Sequence, residues 1–214
     1  PNTIRNCENR GHILADAPVS ETAKTGQARM GGICGGTAIF TSNVNYGTVE
    51  ARGGGKGKSE FAIGGISGMI AHDATDCRNF GDVLNNTGKE NVLAHTGGMF
   101  GWATLAFTIE GCALDADVES TTLYNYDADT GTASDLTHEN SSGAGILLGR
   151  IKSGIVVTVQ SAKSHGKMTR TINKDGQTKT IDFTTTVPAD IYLCGGLQDA
   201  KSKLTYDSGA ITCA

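Results

Sequence analysis

A two-part phrase recurs along the chain and constrains its architecture more than any other property. Cys7-Glu-Asn9-Arg-Gly11-His-Ile13 returns as Asn43-Val-Asn45-Tyr-Gly47-Thr-Val49 and as Cys77-Arg-Asn79-Phe-Gly81-Asp-Val83. Between these stands a double-glycine phrase: Gly31-Gly-Ile33-Cys-Gly35, Gly64-Gly-Ile66-Ser-Gly68 and Gly97-Gly-Met99-Phe-Gly101. The marker glycines are 36 and 34 residues apart, and the double glycines 33 and 33. Cys112-Ala-Leu-Asp-Ala116-Asp-Val118 is a fourth, worn copy with alanine at the glycine position. Leu147-Leu-Gly149 with Ser164-His-Gly166-Lys-Met168, and Leu193-Cys-Gly195 with Asp207-Ser-Gly209-Ala-Ile211, continue the series. Six phrases then end at Ile13, Val49, Val83, Val118, Met168 and Ile211.

Each unit is short, rich in β-formers and punctuated by glycine, with no sustained helical period. One such unit cannot bury its own apolar face, so neighbours must share a core. The expected fold is all-β: a parallel β-solenoid of about six irregular coils filling 1–214 as one block. Its hand is expected to be right, as for other parallel β connections. At about 4.8 Å per coil it would stand roughly 29 Å tall. Clear repeats cover 1–118 and degenerate ones 119–214. Ile33, Ile66 and Met99 should form one inward ladder, and Ile13, Val49, Val83 and Val118 another. Cys7, Asn43, Cys77 and Cys112 share a position for small side chains. The marker glycines are expected at corners with positive φ. Asn9, Asn45 and Asn79 read either as tolerated turn residues or as a polar ladder.

The stretch Gly64-Gly-Ile-Ser-Gly-Met-Ile-Ala-His-Asp-Ala-Thr-Asp-Cys-Arg-Asn-Phe-Gly-Asp-Val83 resembles the GLUG-type repeat. That pattern is a GGL/I-x-G phrase, a polar stretch, then N-C/S-x-x-x-G-x-V. The resemblance covers about 1–118. It implies an accessory array in a large secreted or surface protein of bacteria, Bacteroidota among them. It carries no catalytic residues.

The formal charge of −4 argues against a general nucleic-acid or anionic-membrane binder. No apolar run reaches the length of a membrane span. The start at Pro1, almost on a repeat phrase, reads as a trimmed portion of a longer exported protein, hence an extracellular or cell-surface location. Of the six cysteines, Cys7, Cys34, Cys77 and Cys112 fall at core positions and read as small buried hydrophobes. Cys194 and Cys213 are the best candidates for a disulfide.

Insertions between phrases fall at corresponding places, about 14–29, 50–61, 84–95 and 119–142. They are expected as loops on one side of the stack, the side that repeat proteins often bind with. The first three carry Lys24, Arg29, Arg52, Lys56, Lys58 and Lys89, while the fourth region is acidic. Arg52, Lys56, Lys58, Tyr124 and Tyr126 are the candidate ligand contacts, because Tyr and Arg dominate interface hot spots. Asp127, Asp129 and Asp135 alternate in a loop that suits calcium. The loop is not an EF-hand, since its glycine falls at position five and His138 stands at twelve. Residues 168–185 alternate on both sides of Asp175-Gly176, the signal of an antiparallel hairpin.

Three functions compete. The first is a non-catalytic surface module that binds a glycan or a host protein. The second is a polysaccharide-active β-helix enzyme, with Asp73, Asp115 and Asp117 as conceivable carboxylates. The third is a spacer in a larger protein. No serine-nucleophile motif accompanies the scattered histidines, and no cofactor motif is present. The binding module is the expected reading.

Overall fold

The computed structural model of the chain describes residues 1–17, 25–53, 58–87, 92–122, 143–174, 177–183, 193–195, 197, 201–207 and 209–213. The chain winds as a parallel β-solenoid. Coil 1 holds β1 (Thr3–Arg5), β2 (Glu8–Asn9), β3 (Ile13–Ala17) and β4 (Thr25–Gly31). Coil 2 holds β5 (Ile39–Thr41), β6 (Val44–Asn45), β7 (Val49–Gly53), β8 (Lys58–Gly64) and β9 (Ser67–Ile70). Coil 3 repeats these five as β10 (Ala74–Thr75), β11 (Arg78–Asn79), β12 (Val83–Asn86), β13 (Val92–Gly97) and β14 (Phe100–Ala103). Coil 4 does so as β15 (Phe107–Glu110), β16 (Cys112–Asp115), β17 (Val118–Thr122), β18 (Gly143–Gly145) and β19 (Leu148–Ile151). Coil 5 has β20 (Val156–Val159), β21 (Ala162–His165), β22 (Met168–Lys174) and β23 (Gln177–Phe183), and coil 6 has β24 (Lys203–Tyr206) and β25 (Ile211–Cys213).

Equivalent strands of successive coils pair into five sheets. Sheet A is β1-β5-β10-β15-β20-β24, and sheet B is β2-β6-β11-β16-β21-β25. Sheet C is β3-β7-β12-β17-β22-β23, sheet D is β4-β8-β13-β18, and sheet E is β9-β14-β19. All pairs are parallel except β22 with β23. The hairpin therefore starts as the fifth coil's own strand, with Met168 opposite Val118. It then folds back, so β23 lies antiparallel along the outer edge of sheet C and blocks further pairing there.

The register bears out the ladders. Ile13, Val49, Val83, Val118 and Met168 stand in one line. From Val49 to Met168 these side chains are 0% exposed. Each such burial contributes about 1.5–3 kcal/mol. Ile66, Met99, Leu147 and Leu193 are likewise buried, linked from coil to coil by backbone bonds such as Leu147 N–H to Leu193 O at 3.1 Å. The sixth phrase is displaced. Ile211 lies opposite Ala162, which lies opposite Cys112, so it occupies the cysteine position and not the valine position. The reason is a longer turn: the chain needs 207–210 to travel from sheet A to sheet B, where coil 5 needs only Gln160 and Ser161.

The asparagines form a polar ladder. Asn9 Nδ2 donates to Asn45 Oδ1 at 2.7 Å, and Asn45 Nδ2 donates to Asn79 Oδ1 at 2.7 Å. Each also closes its own turn on the marker glycine, as Asn45 does with Gly47 N–H (3.2 Å) and Gly47 O (2.7 Å). At coil 4 Leu114 takes the asparagine's place, and Asn79 Nδ2 bonds Gly98 O at 2.8 Å instead. Gly11, Gly47 and Gly81 do not carry positive φ, against expectation, whereas Gly166 of the fifth phrase does, at 149°. Gly47 and Gly81 are glycines because the coils touch there: a Cβ on Gly47 would sit 2.0 Å from Gly11 O, and one on Gly81 2.1 Å from Gly47 O. The positive-φ corner lies one turn earlier, at Asn6 (54°), Ser42 (51°), Asp76 (54°) and Gly111 (64°), between sheets A and B.

The described residues of the four insertions lie mostly in strands, which corrects the expectation of loops. Sheets C and D run along them and meet face to face, with Val49, Ala51 and Val83 packing on Met30, Phe61 and Ile63. The main core lies between sheets A, B and E and the double-glycine turns. Where the C–D arm goes deeper its interior is polar. Asn85 Nδ2 donates to Thr96 Oγ1 at 2.9 Å, and Thr96 bonds Ser120 Oγ at 3.3 Å. Cys194 is buried and bridges to Leu148. The side chain of Cys213 lies outside the described residues, and so does the expected Cys194–Cys213 pair.

Candidate ligand-binding site

Strands of sheet B turn alternate residues outward. The asparagine column points in, so the residues on either side of it point out. One outward column is Arg10, Tyr46, Phe80, Asp115 and His165, each just before the marker position of its coil. The other is Glu8, Val44, Arg78, Ala113 and Lys163. Coil spacing brings like neighbours into stacking contact. The Tyr46 and Phe80 rings lie 5.1 Å apart at 10°. The Arg10 guanidinium caps the free face of Tyr46 at 4.5 Å and pairs with Glu8. Further along, His165 Nδ1 meets Asp115 Oδ1 at 2.8 Å.

The stack breaks between coils 3 and 5. Coil 4 puts Ala113 between Arg78 and Lys163, and the short Asp115 between Phe80 and His165. These small side chains leave a notch of about 590 Å³. Phe80 is 38% exposed and walls one side, with no ring of coil 4 stacked on it. Arg78 and Lys163 stand exposed at its rim, and neither makes an ion pair among the described residues. Cys112 lies under the floor, one coil from Cys77, and both are free thiols. The hydrogen bond between them holds the Cys77 thiol down at about 7 despite burial, with Asn43 donors helping. The same pairing together with burial pushes Cys112 up.

The carboxylates considered for catalysis do not converge. Asp73 Oδ1 accepts the Thr108 N–H at 2.8 Å, and Asp117 Oδ1 accepts the Lys167 N–H at 2.8 Å. Both hold the backbone of the next coil in place. Asp115 is the one carboxylate lining the notch among the described residues.

Of the contacts expected from sequence, Arg52 lies in β7, away from the notch, exposed and bonded to Glu50, with Nη2 to Oε2 at 3.0 Å. Lys58 opens β8, and its side chain lies outside the described residues. Lys56, Tyr124, Tyr126, Asp127, Asp129 and Asp135 also lie outside them. No cluster of three metal-ligating side chains occurs among the described residues. The Glu50 carboxyl is 5% exposed. Its hydrogen bond from Arg52 holds it below the usual glutamate value against the cost of burial, and His12 Nε2 at 3.2 Å adds to this. A depressed folded value means stability that is whole above the ordinary pKa of about 4.5 and is lost as pH falls through the folded value. Glu50→Gln is expected to cost about 1 kcal/mol at neutral pH, discounted because Arg52 is half in solvent. It should also flatten the acid limb of a urea-midpoint series below pH 4.5. An unchanged acid limb would show that the group does not contribute.

No family model matches the chain, and neither curated proteins nor solved structures include a match to it.

Proposed function

We propose that the chain is a non-catalytic binding module of an exported, surface-associated bacterial repeat protein, and that it holds a glycan in the notch on sheet B. The observation that carries this reading is the uncovered face of Phe80 opening on a notch rimmed by polar and charged side chains. A sugar ring presents C–H groups on one face and hydroxyls at its edge, which suits one aromatic wall and a polar rim. Cleavage by paired carboxylates calls for two such groups flanking the bond, and among the described residues the lining supplies Asp115 alone. The GLUG-like phrases support an accessory role in a larger surface protein. The expected Arg52, Lys56, Lys58, Tyr124 and Tyr126 contacts, and calcium on Asp127, Asp129 and Asp135, stay as proposals for the arm side of the solenoid.

A glycan array probed with the purified protein tests the reading. Binding to a defined set of oligosaccharides, weakened at least tenfold in Phe80→Ala with the melting curve unchanged, supports it. Silence across the array sinks it and favours the spacer. Shortened oligosaccharides in a product assay would replace it with the enzyme reading.

A further inference from the structure

We propose that the notch selects an acidic sugar residue, a pyranose carrying a carboxylate, as found in uronate polymers. The inference rests on the glycan-binding reading and narrows it to one chemical class. Arg78 and Lys163 belong to the same outward column, two coils apart, with Ala113 between them. That places their Cα atoms about 10 Å apart. Long flexible side chains starting that far apart can close on a single anion seated over Ala113. A methyl group there gives the anion room, whereas a longer residue in coil 4 would have filled the gap or paired with a cation itself. The planar guanidinium fork matches a carboxylate in two parallel hydrogen bonds, and the ammonium adds a point charge.

The second column supplies the rest of the pocket. Phe80, the residue that follows β11, stands two positions from Arg78 and offers its uncovered face to the ring of the sugar. On the far side Asp115 and His165 are already bonded to each other at 2.8 Å. The second carboxylate oxygen of Asp115 and the outer nitrogen of His165 are left to bond sugar hydroxyls. Asp115 also repels an anion placed on its own side, so the acidic group is directed toward the Arg78–Lys163 column. The notch thus has a cationic side, an aromatic wall and a hydroxyl-binding side, which together orient one ring.

The test is calorimetric titration of the whole chain with a galacturonate hexamer, a glucuronate hexamer, a sulfated hexamer and a neutral glucose hexamer, at two salt concentrations. A uronate hexamer is expected to bind at least tenfold tighter than the neutral one, and to weaken as salt rises. Arg78→Ala and Lys163→Ala should each reduce that affinity about tenfold, and Arg78→Lys should not restore it. Ala113→Gln fills the notch without changing charge and should abolish binding, while circular dichroism confirms that each variant is folded. Equal binding of uronate and neutral hexamers, lost in Phe80→Ala but kept in Arg78→Ala, would overturn the acidic-sugar inference and leave the glycan reading standing. Preference for the sulfated hexamer would also overturn it. No binding of any hexamer would overturn both.

Discussion

Gly65→Ala is expected to lower the stability of the chain by about 3–5 kcal/mol, a large share of the ~5–15 kcal/mol that a domain holds. A Cβ at this position would lie 2.1 Å from Asn79 Nδ2, 2.2 Å from Asn79 Cγ and 2.4 Å from Gly98 O. Asn79 is 0% exposed and tied to Gly81, Asn45 and Gly98, so it has no space to yield. The methyl group therefore meets two fixed walls at once, and relief requires breaking the ladder. Gly36 is the control, because a Cβ there has nothing within 4 Å. Gly36→Ala should stay within about 0.5 kcal/mol of the parent. Urea unfolding followed by circular dichroism measures both. Equal midpoints for the two variants would refute the close-packing account of the double-glycine phrase.

The second large effect is expected at Asn45. Its side chain serves four partners: it accepts from Asn9 Nδ2 and Gly47 N–H, and donates to Asn79 Oδ1 and Gly47 O. Asn45→Ala takes the side-chain partner from Gly47 N–H and Gly47 O, at about 1–3 kcal/mol for each one truly buried, while Asn9 Nδ2 keeps Gly11 O and Asn79 Oδ1 keeps Gly81 N–H. A loss of about 3–5 kcal/mol follows, since Asn9 is partly solvated and recovers some of its share. Asn9→Ala at the end of the ladder should cost only about 1 kcal/mol. Comparable losses at the two positions would mean that the asparagines act singly and that no ladder exists.

The spacing of Gly11, Gly47 and Gly81 makes the coils legible, because a contact between backbones leaves no room for a Cβ at Gly47 and Gly81 and so recurs at the coil period. The hairpin is legible for a local reason as well: the Asp-Gly pair in the sequence and the alternation around it need no knowledge of the rest. The arms, expected as loops, carry strands of sheets C and D. Beside the glycines and lysines at 52–58 stands Phe61-Ala62-Ile63, a short apolar run buried on both faces of β8, and periodicity alone does not separate such a run from other buried segments. The displaced Ile211 was hidden by the look of Gly209, which occupies a turn with φ of +87° and not a crossing point. The notch has no local signal in the sequence. It is made by residues that are absent in a sense, the short Ala113 and Asp115, and a short residue matters only against its neighbours one coil above and below. Phe80, Asp115 and His165 are separated by 35 and 50 residues in the chain and become a column only once the register is known.

Coil 4 leaves sheet C at Thr122 and rejoins sheet D at Gly143, while coil 2 makes the same journey between Gly53 and Lys58. Even so, His95 lies opposite Gly143 and Thr96 opposite Ala144, in unbroken register. Length is therefore a free variable at the arm tips, where each doubling costs only about 0.6 kcal/mol in closure entropy. A scaffold with this property separates inheritance from invention. The crossings at Gly47 and Gly81 leave no room for a Cβ, while the lengths between sheets C and D differ from coil to coil without shifting the register of the strands that follow.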